Sequence, residues 1–307
     1  MTQNLTRRSV VAGALLSPLV AEAAAQPRSS IRVAHLTDMH VMPQRDAPRG
    51  MERSLIACQE HKPDLILVGG DMIWDSLDSS REQALEQWKL YKSILRANTS
   101  LRVEATLGNH DVWGWGDVAR YGSAPEYGKK LALDQLEMAK SYRSFDVRGW
   151  HFVILDSTYP APGNGYVAKL DDEQFSWLEA DLARTPKTTP ILISTHAPIL
   201  SAAAFLHGEF ERSGQWQLPA IMMHLDARKL KALFLQHPNV KLCISGHVHL
   251  VDRVDYLGVS YICAGAVSGG WWLGPHQEIG NGYSIIDLLP DGTFAYKYIQ
   301  FPWTPRP

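Results

Sequence analysis

"KLCISGHVHLVDRV", Lys241 to Val254, is an apolar run that stops at Gly246 and then presents two imidazoles, His247 and His249, one residue apart. The unbroken apolar stretch Leu242-Cys243-Ile244 reads as a strand buried on both faces. Two histidines behind a glycine at the end of such a strand need partners from elsewhere in the chain. Earlier runs have the same texture and also end in polar or glycine-rich turns: IRVAHLTD (31–38), DLILVGGD (64–71), LRVEATLGNH (101–110), HFVILDS (151–157) and PILISTH (190–196). Helical patterns separate them. Ala84, Trp88, Tyr91 and Leu95 recur at helical spacing, a second helix is expected from Tyr127 to about Arg143, and a third opens on Asp171 with Gln174 three residues on, a capping-box pattern, and carries Phe175, Leu178 and Leu182 on one face. Strand–helix alternation predicts an α/β fold, a layered mixed β-sheet core flanked by helices. After Val251 the strands are joined by short turns, so the sheet should be finished by antiparallel strands. One domain is expected over 31–301, with 201–218, which has no clean period, as an insertion or lid.

The 307 residues carry a formal net charge of −2 and are 45% hydrophobic. That balance, without Lys/Arg runs, argues against a long nucleic acid as partner. The start, "MTQNLTRRSVVAGALLSPLVAEAAAQP", has Arg7-Arg8, a short apolar run and an Ala-x-Ala site ending at Ala25. It is similar to a twin-arginine signal peptide, with Val10 where Phe is more usual. The expectation is a leader over 1–25, use of the export machinery, a periplasmic or secreted location and no integral membrane segment in the mature chain. The three cysteines, Cys58, Cys243 and Cys263, are too few for a disulfide framework. They read as small buried hydrophobes, with a Cys243–Cys263 bridge left open.

The strand ends carry chemistry. In order they offer Asp38-Met39-His40, Gly70-Asp71, Gly108-Asn109-His110-Asp111, His196 and Gly246-His247-Val248-His249. In open α/β sheets, ligand sites lie at the carboxyl ends of strands, so these residues can converge. D-x-H, G-D, G-N-H-D, H and G-H-x-H in that order resemble the calcineurin-like metallophosphoesterase superfamily, over residues 38–249. The resemblance implies that Asp71 bridges two metal ions. Asp38, His40 and His249 would complete one site, and Asn109, His196 and His247 the other. His110 would face the substrate and help the leaving oxygen take a proton. His/Asp/Asn ligation suits Fe, Mn, Zn or Co about equally. Two divalent ions against the carboxylates of Asp38 and Asp71 leave roughly +2, or +3 for a trivalent–divalent pair, which draws in phosphate and acidifies bound water. The expected nucleophile is then metal-bound hydroxide.

"LDSTYPAPGNGYVAKLDDEQFSWLEADL" followed by "PILISTHAP" resembles the class III cyclic-nucleotide phosphodiesterase branch, although Thr195-His196-Ala197-Pro198 stands where that branch often has His-His-x-Pro. Val41 stands third after Asp38, so the D-x-x-Y pattern of purple acid phosphatases is absent. The expected function is hydrolysis of a small phosphoester, leaning to diesters, cyclic nucleotides among them. A phosphomonoesterase with the same centre and a non-enzymatic metal-binding scaffold are the alternatives. Trp113, Trp115, Trp271 and Trp272 lie in glycine-rich loops near the motifs and are expected to give the cleft aromatic walls. The remaining polar residues have plainer readings: His35 packed in its strand or supporting a ligand, His61, His151 and His237 on the solvent side, Asp75 and Asp78 capping a helix, and Asp156 forming a turn; His276, after a Gly-Pro pair, gives no signal. His207 and His224 border the expected lid.

Overall fold

The computed structural model describes residues 30–305; the expected leader at 1–25 lies outside them. The chain begins with β1 (Ile31–Leu36), α1 (Ala47–Glu60), β2 (Leu65–Val68), α2 (Arg81–Asn98) and β3 (Arg102–Ala105). A long connection holds α3 (Val118–Tyr121) and α4 (Lys130–Leu136) before the hairpin of β4 (Arg143–Val147) and β5 (Trp150–Ile154). A small hairpin, β6 (Thr158–Pro160) and β7 (Tyr166–Ala168), leads into α5 (Asp172–Arg184) and β8 (Ile191–Ser194). Then come a 3₁₀ turn at Ala203–Phe205, a second small hairpin of β9 (Glu211–Arg212) and β10 (Gln215–Trp216), α6 (Ala227–Gln236) and β11 (Val240–Ser245). The chain ends with β12 (Asp252–Tyr256), β13 (Val259–Cys263), β14 (Gly282–Leu288) and β15 (Phe294–Gln300).

The large strands form two mixed sheets, ordered β15-β14-β1-β2-β3 and β12-β13-β11-β8-β5-β4. β1, β2 and β3 run parallel, and so do β5, β8, β11 and β13. The antiparallel strands that finish the chain are shared out: β14 and β15 extend the first sheet and β12 edges the second. The sheets meet face to face. Ile31, Val33, Leu65, Leu67, Ile286 and Leu288 of the first pack against Phe152, Ile154, Leu192, Leu242, Ile244 and Ile262 of the second. Alternate residues point the other way. Ala34, Leu36, Ile66 and Val68 meet Met51, Leu55, Trp88 and Tyr91 of α1 and α2. Ile193 and Cys243 meet Phe175, Leu178, Leu182, Leu230 and Phe234 of α5 and α6. This four-layer arrangement explains why the strands read as unbroken apolar runs, since both faces of each are covered.

Two local expectations change, and the cysteines are as read. The helix expected from Tyr127 to Arg143 is only α4, Lys130–Leu136, because Glu137 turns left-handed at φ 56° and ends it. Asp171 caps α5 by accepting the Gln174 amide, but the Gln174 side chain does not close a capping box. It binds the backbone N–H and C=O of Asp156 instead, tying α5 to the turn after β5. Cys243 and Cys263 are both buried and free. They lie on different rungs of the β11–β13 ladder, Cys243 opposite Tyr261 and Cys263 opposite Ser245. The segment 201–218 tucks Ala203 and Ala204 against Val248, Leu250 and Met222, while its hairpin is exposed.

Candidate metal centre

The parallel strands of both sheets deliver their carboxyl ends to one edge. The turn after β1 supplies Asp38 and His40, that after β2 Asp71, and that after β3 Asn109 and His110; across the sandwich the turn after β8 supplies His196, and that after β11 His247 and His249. Side-chain and backbone bonds lock the two halves together. Thr106 and Ser194 share a hydroxyl–hydroxyl bond of 2.9 Å, and the His247 N–H donates to both carboxylate oxygens of Asp38 at 3.0 and 3.1 Å. Gly246 is required by that approach, because a Cβ there would collide with the side chains of Thr37 and Asp38. Gly108 is required in the same way by the carboxylate of Asp71. The last residue of the G-N-H-D turn is structural. The Asp111 carboxylate accepts the N–H groups of Gly108 and Met72, joining the turns after β2 and β3.

Five of these residues, Asp38, His40, Asp71, His247 and His249, have left-handed backbones with φ between 42° and 76°. Such conformations cost of order 1–3 kcal/mol each for non-glycine residues and persist where the surroundings hold them. Here they turn successive side chains inward from tight strand ends.

The side chains form two joined groups. In one, Asp38 Oδ1 lies 3.3 Å from His249 Nε2, which lies 3.2 Å from His40 Nε2. In the other, His196 Nε2 is 3.2 Å from each of Asp71 Oδ2, Asn109 Oδ1 and His247 Nδ1. Asp71 Oδ2 is also 3.7 Å from His40 Nε2, so it stands between the groups, as a bridging ligand must. Asp38, His40 and His249, and likewise Asp71, His196 and His247, each bring one donor atom within 4.8 Å of the others.

The hydrogen bonds behind the rings test whether cations fit. His249 Nδ1 faces the Gly269 carbonyl at 2.6 Å, His40 Nδ1 that of Trp74 at 3.4 Å, and His196 Nδ1 that of Gly69 at 2.8 Å. A carbonyl can only accept, so each Nδ1 carries the proton and each Nε2 turns a lone pair inward. His40 and His249 therefore aim lone pairs at one another, and His196 aims one at the Asn109 and Asp71 oxygens. Such an arrangement repels itself unless protons or metal ions sit among the lone pairs, and the residues fit two metal ions. Without cations the second group holds a proton instead: burial disfavours charge on His196, but the adjacent Asp71 outweighs it and raises the imidazole to about 10. Cation binding at this group must therefore expel a proton.

All seven expected ligands come together. His110 lies beside them, its N–H donating to Asp71 Oδ1 at 2.8 Å and its ring perpendicular to His40 at 4.9 Å between centroids. Its Nδ1 faces Asp75 Oδ1 at 3.2 Å. Burial opposes a positive charge on His110, but Asp71 and Asp75 raise its pKa above the ordinary value. Asp75 was expected to cap a helix. It does cap the turn at Leu77 and Asp78, but the same carboxylate orients His110. Gln87 of α2 grips its backbone from both sides.

Other expectations need correction. Trp113 is buried against Tyr121 with its N–H on Ser79, and Trp272 is fully buried in the first helix–sheet core with its N–H on the carbonyls of Met39 and His40. Trp115 is buried too. None of the three walls the cleft: Trp272 and Trp113 sit in apolar clusters behind their own turns, and Trp115 packs under the Lys129 ammonium. Trp271 alone of the four lies over the ligands, 4.5 Å from the His249 ring and 5.8 Å from His40. His276 packs on Trp271 and on His249 at 5.7 and 5.6 Å. His151 is buried rather than solvent-side, held between Asp146 and Asp181 at 2.7 and 2.8 Å. His224 is occupied by Thr195 and Asp226. His35 and Asp156 behave as read, the first buried beneath Asp38 and the second holding the Thr158 turn.

Sequence reading missed three residues at this edge. Trp74 stands 6.2 Å from the His40 ring, and Arg45 lies over it at 4.4 Å while donating to the Trp271 carbonyl. Tyr166 stands 6.2 Å from the His247 ring on the opposite side. None falls in the strand-end motifs, and although Tyr166 lies within the stretch that resembles the phosphodiesterase branch, nothing in its spacing marked it.

The calcineurin-like phosphoesterase family model matches residues 31–251. A 3',5'-cyclic-nucleotide phosphodiesterase of Nostoc sp. is 26% identical over 89% of this chain and 94% of its own length. A purple acid phosphatase of Arabidopsis thaliana is also 26% identical, over 62% of this chain and 39% of its own. Among solved structures, a dimetal phosphatase from Danio rerio shares the fold with a TM-score of 0.57 at 14% identity, covering 85% of this chain and 95% of that one. The chain belongs to the calcineurin-like phosphoesterase family and is a metal-dependent phosphoester hydrolase.

Proposed function

We propose that the protein hydrolyses phosphodiesters with an organic group on each side, cyclic nucleotides among them, with metal ions held by Asp38, His40, Asp71, Asn109, His196, His247 and His249. When bound, two such ions supply positive charge to the phosphate and acidify water. The chain's own residues do the rest. The carbonyls behind His40, His196 and His249 fix which ring nitrogen faces inward. Asp75 holds His110 with Nδ1 occupied, leaving the other ring nitrogen to protonate the departing alkoxide.

The observation that carries the diester reading is Trp271 lying over His249, with Trp74 on the far side of His40. An aromatic face rewards a substrate with a base or ring next to the phosphate and offers nothing to inorganic phosphate. The end-to-end similarity to the Nostoc cyclic-nucleotide phosphodiesterase supports the same substrate class. The purple acid phosphatase similarity favours a monoesterase, the second reading. Metal-loaded protein should hydrolyse bis-p-nitrophenyl phosphate and a cyclic nucleotide with higher kcat/KM than p-nitrophenyl phosphate. The reverse order would establish the monoesterase. For location we propose export in the folded state through the twin-arginine route. Arg7→Lys with Arg8→Lys should then leave the precursor in the cytoplasm, and undiminished export would point to the general secretory path.

A further inference from the structure

The edge of the metal centre beside His247 carries a side chain, Tyr166, that lies outside the five strand-end motifs. Tyr166 is on β7, paired with Pro160 of β6. The hairpin is fastened on several sides. The Gly165 N–H donates to the Trp115 carbonyl, the Asn164 side chain accepts the Val118 N–H, and Lys129 joins the Thr158 carbonyl to the Asp156 carboxylate. On the other flank Ala168 exchanges backbone bonds with Ala220 and Leu225. A ring on such a frame is placed rather than free to swing.

The ring stands nearly perpendicular to His247, at 81°, with centroids 6.2 Å apart. Among the described residues the hydroxyl has no hydrogen-bond partner. Tyr296 and Tyr298, by contrast, are bonded to Ser284 and to the Gly280 carbonyl. A phenol held against the His247 ring without a protein acceptor is available to a bound anion.

We infer that Tyr166 is a catalytic residue of this site whose hydroxyl donates a hydrogen bond to a non-bridging oxygen of the phosphoryl group seated beside His247. This rests on the hydrolase reading with metals at the seven ligands. The phenol stays a donor throughout and takes no part in proton transfer. Charge gathers on the non-bridging oxygens as the bond to the leaving group breaks, and a fixed donor there strengthens as it does. Its role differs from that of His110. His110 serves the leaving oxygen, whereas Tyr166 serves an oxygen that never leaves.

That difference sets the test. Tyr166→Phe keeps the ring and its packing and removes only the hydroxyl. Wild type and variant are loaded with metal, their metal content is measured, and kcat is followed on esters with nitrophenolate and alkyl alkoxide leaving groups. Inorganic phosphate affinity is measured by calorimetry on the same samples. Expected are equal metal content, kcat lower by about 10- to 100-fold, the same factor for both leaving groups, and phosphate binding weaker by roughly 5- to 10-fold. Unchanged kcat and phosphate affinity would overturn the assignment. So would a loss of activity that tracks lost metal, or one confined to the poorer leaving group. If wild type turns over no phosphoester, the hydrolase reading has failed separately, and the phosphate measurement still decides whether Tyr166 contacts the anion.

Discussion

The Nε2 atoms of His40 and His249 face each other at 3.2 Å while carbonyls occupy both Nδ1 positions. Two lone pairs so opposed are a latent instability that a cation removes. Chelation should therefore lower Tm, and returning metal should restore it. At a free metal concentration of about a hundred times Kd, linkage gives about 2.7 kcal/mol, or roughly 5–11 °C for a domain of this size. Differential scanning calorimetry with and without chelator reads this, and an unchanged Tm would mean the pair is held some other way.

Asp71 lies between the two donor groups, 3.7 Å from His40 and 3.2 Å from His196. Asp71→Asn should lower hydrolysis by at least about 10³-fold and reduce bound metal, because both positions lose the anionic oxygen they share. Elemental analysis beside the assay checks it; full metal content with near-normal rate would remove Asp71 from the bridge.

His110 and Asp75 form an oriented pair. His110→Ala should slow hydrolysis of an alkyl ester by about 10²–10⁴-fold, and of a nitrophenyl ester much less, since a good leaving group needs little protonation. Asp75→Asn should show the same pattern at about 10-fold, the scale of losing a residue that orients a functional histidine. Equal losses on both esters would reassign the pair to substrate positioning.

The tryptophans should separate cleanly. Trp113→Ala and Trp272→Ala remove buried rings and should cost about 3–5 kcal/mol of stability, with a matching fall in Tm. Trp271→Ala should change Tm little and lower kcat/KM for a cyclic nucleotide by roughly 5- to 100-fold, the range of one stacking contact. Thermal melts and kinetics on the three variants decide it, and a Trp271 variant with normal kinetics would leave the cleft without its aromatic wall.

His151, between β4 and α5, should give the fold a pH signature away from the metal site. Burial opposes charge there, but Asp181 and Asp146 prevail and raise His151 above 6.5. A raised histidine stabilises fully below its unfolded value and loses that contribution as pH rises through the higher folded one. Burial opposes charge on Asp181 as well, but His151, Ser144 and Arg184 prevail and hold it below 3.8, so its contribution is present above that value and lost as pH falls. Together the pair is worth most between 3.8 and 6.5. In metal-free protein, His151→Gln should flatten the decline in stability above neutral pH, as read by urea unfolding across pH, and an unaltered slope would place that titration elsewhere.

The strand-end motifs were legible in the sequence because their chemistry is local. A parallel strand buried on both faces is an unbroken apolar run, and the turn after it is where a ligand can be offered. That logic marks the strand-end clusters, and the resemblance of their order to the calcineurin-like family singles out Asp38, His40, Asp71, Asn109, His196, His247 and His249 within them. The glycines beside them also have local reasons, since Gly108 and Gly246 leave room for the carboxylates of Asp71 and Asp38. What tertiary structure alone decided is which side chains at that edge face the ligands. Trp271 and Trp272 are neighbours in the chain, both with left-handed backbones, yet one covers His249 and the other fills the core. Tyr166, Arg45 and Asp75 reach the centre through hairpins and turns whose direction depends on distant anchors such as Lys129, Trp271 and Gln87. Residue type and spacing encode what a strand end can bind; the side chains that surround it are chosen by how separate loops pack over the edge, and that packing is not written in any one segment.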